Sequence, residues 1–477
     1  MERLKYEKKY PVAGASEIGS SRMGIGFEKL DRGVFDPEKA YDKVAHIGVK
    51  KVRIQSGWAR TEHEEGVYDF LWIDSIVDNL ISRGLEPWIC LCYGNPLYTE
   101  LARPVFGAVG CPPIATEREL CAWLAYVKAT VAHFAGRVSL FEIWNEPDCN
   151  YSWRHCENET VDHLKNAEEY GHFATKTAIA IKEGNPDALV MGFALGHTDD
   201  LEYVDIALNT GLYKYLDLIS FHCYSPNELT RRDRAHKLRL LVDRFDPRIK
   251  LVQGETGAQS DSRGSGAMKG FAWTREKQTK ALLRGLIEDL AEGVAFTSYF
   301  STMDMIEALR GRIADKASYL DYGYFGVIGA EFDEDGRASG AYTEKPSYYA
   351  LQTLASLMRG NARPCALPWH FEHLPSRRVN GEDITAHTVQ VESFTLDDGS
   401  KALIYWNAVD LLTATYEGTV SLNVFGISGD GIRLLDLKDG SVYTLPDGMV
   451  KPIGVHGVQF CNLPITDSPL AILFRAE

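Results

Sequence analysis

The chain has 477 residues, of which 45% are hydrophobic and 25% charged, and this composition excludes a disordered, collagenous or low-complexity protein. Fifty-one Lys and Arg against 66 Asp and Glu leave a net charge of −15, which argues against nucleic acid and anionic membranes as partners. The opening MERLKYEKKY is charged throughout, unlike a secretory leader, and no stretch reaches the length of a membrane span. Nine scattered cysteines without a CxxC read as reduced thiols, so a cytoplasmic location is expected.

In chain order, eight short apolar or β-branched runs are expected as strands, at 22–28, 50–55, 85–92, 138–144, 188–195, 216–222, 249–254 and 294–300. Apolar residues at helical spacing predict helices at 71–83, 117–134, 167–184, 233–245, 275–292 and 346–359, with Pro37 and Glu38 opening an earlier one. This alternation matches an α/β fold of the (β/α)8 TIM-barrel type over 21–360, and the Gly-rich fingerprint of an open doubly wound sheet is missing. After Gly360 the runs 388–395, 401–406, 419–424, 432–437 and 470–475 alternate between Asp-Gly turns. They predict an antiparallel β-sandwich domain over 361–477, with residues 1–20 pairing onto it.

A barrel presents its chemistry at the C-terminal ends of its strands. There the sequence places Arg53 on the second strand, Asn145 and Glu146 in FEIWNEPD on the fourth, His222 and Tyr224 in SFHCYS on the sixth, and Glu255 in LVQGETG on the seventh. Two glutamates at separate strand ends fit glycoside hydrolysis, where one carboxylic acid protonates the leaving oxygen and one carboxylate attacks the anomeric carbon. Such an acid needs a pKa raised by burial and a negative neighbour, while the nucleophile needs donors such as Arg53 and Tyr224 to keep it ionised. Arg53 serves either that role or a structural pairing with a barrel carboxylate. His222 is either a satisfied core histidine or a sugar contact, and Tyr224 two residues on favours a shared site. Glu142, Glu157 and Glu169 read as surface carboxylates or salt-bridge partners. Candidates for the flat apolar faces that pyranose rings need are Trp58, Tyr93, Trp153, Trp273, Tyr299 and Phe300, with core packing as the alternative for most of them. The Gly- and Ser-rich segment 260–273 reads as a lid, a subsite wall or a connecting loop. RRDRAHKLR at 231–239 reads as a solvated helix face, with an anionic-sugar site as the alternative. HFEH at 370–373 lacks the HExxH spacing of a metal motif.

Trp-Asn-Glu-Pro at 144–147 together with Glu255 resembles the signature of glycoside hydrolase clan A, retaining barrel enzymes with their acid/base on strand four and nucleophile on strand seven. Within that clan the chain is most similar to family 39, the β-xylosidase family, through YGNPLY at 93–98, FGV at 325–327, KPSYYALQTL at 345–354 and the C-terminal β domain. The resemblance implies Glu146 as general acid/base, Glu255 as nucleophile, Asn145 on the sugar 2-hydroxyl, and Tyr93 and Asn95 among the substrate contacts. The sequence departs from the clan at TSYFSTMD, 297–304, where a Trp often lies under the sugar, so Tyr299 or Phe300 takes that place and the sugar stays open.

The implied function is a retaining exo-glycosidase, β-xylosidase-like, with β-glucosidase, β-galactosidase and α-L-arabinofuranosidase as alternatives. A transglycosidase or a non-catalytic carbohydrate-binding barrel would keep the same frame. The partner is an oligosaccharide or small glycoside, the chemistry needs no metal or cofactor, and the family relatives are compatible with a homo-oligomer using the β domain as one contact surface.

Overall fold

A computed structural model describes residues 4–156, 162–309, 311–373, 377–379, 382–384, 388–427, 429 and 431–475. An N-terminal strand, β1 (Lys5–Lys9), precedes a closed parallel barrel of β2 (Met23–Gly26), β3 (Lys51–Gln55), β4 (Glu86–Leu91), β5 (Leu140–Ile143), β6 (Leu189–Leu195), β7 (Leu218–His222), β8 (Lys250–Thr256) and β9 (Thr297–Tyr299). β2 pairs in parallel with both β3 and β9, which closes the ring. The strands read as near-continuous apolar runs because helices cover the outside and side chains fill the inside. Trp88, Leu140, Met191, Leu218, Val252 and Phe296, all near the N-terminal ends of their strands, form one apolar cluster that fills that end. A cavity inside the barrel is therefore left to the opposite end.

The helices are α1 (Tyr41–Ile47), the single turn α2 (Trp58–Thr61), α3 (Leu71–Ser82), α4 (Glu117–His133), α5 (His163–Gly184), α6 (Leu201–Asn209), α7 (Glu228–Asp243), α8 (Arg275–Ala291) and α9 (Pro346–Leu357). Their starts follow side-chain caps: Thr116 accepts from Glu119 N, Asp162 from Lys165 N, Asn227 from Leu229 N and Thr274 from Lys277 N. α5 and α7 begin before the predicted 167 and 233, because Asp162 and Asn227 nucleate polar first turns that carry no apolar periodicity. An antiparallel hairpin of 328–332 with 338–344, unforeseen from sequence, separates β9 from α9.

The C-terminal part forms a seven-stranded sheet in the order β1, 441–444, 433–436, 470–474, 401–407, 389–395, 363–364, and a four-stranded sheet in the order 369–373, 417–425, 457–466, 450–452. Leu403, Tyr405, Leu422, Leu434, Phe460 and Ile472 share one apolar core drawn from both sheets. β1 pairs antiparallel with the strand at 441–444, Lys5 facing Thr444. The long strand 457–466 escapes a pattern reading because Pro464 interrupts it and Asn462 has φ +53.

α8 fastens this part to the barrel. The guanidinium of Arg284, 1% exposed, donates to Asp467 O (2.8 Å from Nε), Val409 O (3.0 Å) and Asn407 O (3.2 Å). Beside it Lys280 pairs with Asp467 at 2.9 Å and Trp406 Nε1 donates to Glu228 at 2.9 Å. Arg284→Met should leave these buried carbonyls without donors and cost roughly 2–5 kcal/mol of stability. Scanning calorimetry checks this, and a melting midpoint equal to wild type would remove Arg284 from the junction.

Candidate active site

The turn after β5 is built to aim side chains. Trp144 and Glu146 have φ of +66° and +51°, a left-handed conformation that costs a non-glycine residue about 1–3 kcal/mol and persists only where the surroundings enforce it. Here they do. Trp144 Nε1 donates to Ser152 O at 2.9 Å, the Ser152 hydroxyl donates back to Asn145 O, and Glu146 N donates to Ala194 O at 3.0 Å on β6. The Trp144 ring is wedged edge-on against Trp123, Trp153 and Phe173. Asn145 and Glu146 thereby project into the open end of the barrel. Across it, a bulge sets His222 of β7 opposite Glu255 of β8.

Arg53, fully buried on β3, is the hub. Its Nε donates to Glu142 Oε2 at 2.7 Å, Nη1 to Glu255 Oε2 at 2.8 Å, and Nη2 to Asn145 Oδ1 at 2.9 Å. The two sequence readings of Arg53 thus hold together: one edge pairs with a barrel carboxylate and the other orients Glu255. With its oxygen held by Arg53, Asn145 has its amide NH2 as the group free to face the cavity. Tyr224 donates its hydroxyl to Glu255 Oε1 at 2.6 Å. His222 Nδ1 lies 2.8 Å from Glu146 Oε1 and 3.7 Å from Glu255 Oε2, so one imidazole spans both carboxylates. An oxygen of Glu146, an oxygen of Glu255 and a His222 nitrogen all lie within 4.8 Å of one another.

The two glutamates start from the same ordinary value of 4.5 and move apart. Burial raises Glu146, and the charges of Glu255 and Asp148 add to this against the opposing His222 hydrogen bond. Burial also pushes Glu255 up, but His222, Arg53, the Tyr224 hydroxyl and Lys29 together outweigh it and leave Glu255 below the usual range. Burial lowers His222, and the Glu255 and Glu146 carboxylates more than reverse this, so it ends raised.

A cavity of about 1010 Å³ opens here, lined by Tyr93, Asn145, Glu146, Tyr224, Glu255 and Phe300 of the expected residues. Arg53 and His222 stand behind the carboxylates. Four expected substrate contacts are corrected. Asn95, 1% exposed, uses its amide on Glu62 O (2.9 Å) and on Leu97 N (2.9 Å), bracing the loop after β4. Trp153 is buried among Trp144, Tyr170 and Phe173, with Nε1 donating to Glu169 at 2.9 Å. Trp273 packs with Ala258 and Leu411 and donates to Met268 O at 2.8 Å. Tyr299 points its hydroxyl at Ala258 O, 3.3 Å away, which leaves Phe300 as the aromatic from the end of β9 that reaches the cavity. Trp58 is likewise core, stacked on Tyr98 and Tyr126. In each case an apolar ring near a strand end packs inward, as burial favours.

Gly266, Ala267 and Lys269 of the 260–273 segment line the cavity, and Gln259 pins the segment by donating to Ser265 O (2.6 Å) and Ala267 O (3.0 Å). It is a wall. The basic run 231–239 is absorbed in ion pairs, Arg231 with Asp289, Arg232 with Glu288 and Glu392, and Arg234 with Asp199. In HFEH, His370 and Glu372 both meet the Asn423 amide, at 2.9 and 2.7 Å. Glu157 lies outside the described residues.

Sequence reasoning missed Glu28, Lys29, Gln55, Glu307 and Phe325, which also line the cavity. Glu28 ends the first predicted strand, the same positional signal that exposed Glu146. It is 1% exposed, 3.5 Å from Arg53 Nη1, and both its carboxylate oxygens lack a hydrogen-bond partner among the described residues. Burial, reinforced by the Glu255 charge against the pull of Arg53, pushes its carboxyl up to about 7.

The sequence profile of Glycosyl hydrolases family 39 matches residues 36–423. A β-xylosidase of Geobacillus stearothermophilus is 24% identical over 247 residues, 47% of this chain and 44% of that protein's own length, so the match spans less than half of that relative. Among solved structures, a family 39 glycoside hydrolase of the gut symbiont Bacteroides cellulosilyticus WH2 superposes with a TM-score of 0.63 at 16% identity, covering 99% of this chain and 84% of that one. A family 39 β-xylosidase of Caulobacter crescentus gives 0.55 at 17% over 99% of both chains, and a family 51 arabinofuranosidase of Xanthomonas axonopodis pv. citri gives 0.60 at 15% over 98% of both. These structural likenesses show a shared fold.

Proposed function

The chain belongs to glycosyl hydrolases family 39, and from that premise we propose that it is a retaining exo-glycosidase, β-xylosidase-like in the sugar it removes. The observation that carries the reading is the pair Glu146 and Glu255: two carboxylates facing one cavity, with oxygens within 4.8 Å and pKa values displaced in opposite directions. Retention by double displacement calls for carboxyl groups about 5–5.5 Å apart, whereas inversion needs about 6.5–9.5 Å to admit a water. The Geobacillus stearothermophilus relative, a β-xylosidase, supports the sugar.

In this mechanism Glu146 gives its proton to the leaving oxygen while Glu255 forms an ester bond to the anomeric carbon and the glycosidic bond breaks. Ester formation removes the Glu255 charge, one of the influences holding the Glu146 pKa up. With its pKa lowered, Glu146 stays ionised and so serves as the base that takes a proton from the water that cleaves the ester, and the first proton is thereby restored. Arg53 and the Tyr224 hydroxyl hold the two oxygens of Glu255 in place and return as donors when it leaves. The Asn145 amide reaches the sugar 2-hydroxyl, a contact that strengthens in the oxocarbenium-like transition state. Phe300 and Tyr93 offer ring faces, and the Glu28 carboxylate, which has no hydrogen-bond partner among the described residues, offers acceptors for sugar hydroxyls. The nine free cysteines suit a reducing compartment, and no described helix is long and apolar enough to cross a membrane.

Two experiments test the reading. Wild type should hydrolyse one member of a panel of aryl glycosides (xyloside, glucoside, galactoside, arabinofuranoside) far above the rest, the xyloside first. Its kcat/KM should show a broad bell against pH: protonation of Glu255 sets an acid limb below the usual carboxylate range, and loss of the Glu146 proton sets an alkaline limb above it. Silence across the panel in folded protein, or a rate flat through both limbs, would count against it.

A further inference from the structure

At the rim of the same cavity stands a second cluster that hydrolysis leaves unused. Asp148 and Cys149 follow Glu146 on the loop after β5, and His197 lies on the loop after β6. His197 Nδ1 is 3.5 Å from Cys149 Sγ and 3.3 Å from Asp148 Oδ2, and one ligand atom from each of the three lies within 4.8 Å of the others. A tetrahedral zinc ion with Zn–S of about 2.3 Å and Zn–N and Zn–O of about 2.0–2.2 Å sets its N···S edge near 3.5 Å and its N···O edge near 3.3 Å. The two separations on His197 match those edges. The donor set of one sulfur, one imidazole and one carboxylate also suits zinc over the oxygen-seeking calcium and magnesium.

The cluster is built into the backbone. Gly196 N and His197 N donate to the two oxygens of Asp148 at 2.8 and 2.6 Å, which fixes the carboxylate. Gly196 also lets the thiol approach the acid: a Cβ there would collide with Cys149 Sγ and stand 3.3 Å from Glu146 Cδ. Cys149 and Asp148 are buried, while the His197 side chain is 61% exposed at the mouth, which gives a cation its way in.

We propose that Asp148, Cys149 and His197 form a zinc-binding site at the cavity mouth. On binding, the Zn–S bond forms as the Cys149 S–H bond breaks, the proton passes to solvent, and His197 coordinates through its neutral Nδ1. Burial and the charges of Glu146, Asp148 and Glu255 push the free thiol's pKa up, so it is a neutral thiol until a dication offsets those charges.

The test is titration of the full, metal-free chain with zinc chloride against a chromogenic chelator. One equivalent of zinc should bind. Cys149→Ser and His197→Ala should each weaken binding at least by the ~10–100-fold that loss of even an outer-sphere partner costs. His197 is exposed enough that its substitution keeps the fold if the cysteine variant does not. No stoichiometric binding would overturn the site, as would binding that survives both substitutions; its loss in Glu255→Gln would then assign it to the Glu146, His222 and Glu255 group.

Discussion

Glu255→Gln is expected to lower kcat on the preferred aryl glycoside by roughly four to six orders of magnitude, the scale on which removing a covalent nucleophile acts. The substitution is isosteric, and the local hydrogen bonds survive it. Arg53 Nη1 can donate to the amide oxygen, and the Tyr224 hydroxyl, now 2.6 Å from Oε1, can rotate to accept from the amide nitrogen. The loss would therefore be one of chemistry, and near-identical circular dichroism and melting would accompany it. Steady-state rates on carefully purified protein check this, and a rate near wild type would take Glu255 out of the mechanism.

Glu146→Gln should behave differently, because general acid and base assistance is worth about 10²–10⁴-fold and depends on the leaving group. With a poor leaving group, both bond cleavage and ester hydrolysis need Glu146, and kcat should fall by that full factor. With a dinitrophenyl leaving group, cleavage needs little protonation, so the ester forms quickly and its hydrolysis limits the rate. The expected signs are a burst of phenolate equal to the enzyme, a low KM, and loss of the alkaline limb in the pH profile. Equal loss on both substrates with no burst would assign Glu146 a positioning role.

The contrast between what the sequence disclosed and what it hid has a physical basis. All eight barrel strands are legible because burial on both faces writes continuous apolar runs, and the helices because one face must pack. Helix starts at Asp162 and Asn227 are invisible to that pattern, since a cap is one polar residue among many. In the site, Glu146 and Glu255 stand out because each follows an apolar strand and breaks it with a charge. Arg53 stands out for the same reason, yet its three partners come from β5, the turn after β5, and β8, a convergence that only the closed barrel creates. The aromatic residues fared worst. Trp58, Trp153, Trp273 and Tyr299 share the composition of a sugar platform but fill space behind the wall, and nothing in a linear sequence separates the two uses. Glu28 is readable by position, but no second residue nearby in the sequence points to it.

The most direct test of the central claim is the anomeric form of the first-released sugar, followed by proton NMR during hydrolysis of an aryl β-xyloside, or of whichever β-glycoside the panel selects. Double displacement through Glu255 predicts that the β-anomer appears first and only later mutarotates toward equilibrium. First release of the α-anomer would mean a single displacement by water, and would contradict the assignment of Glu255 as nucleophile.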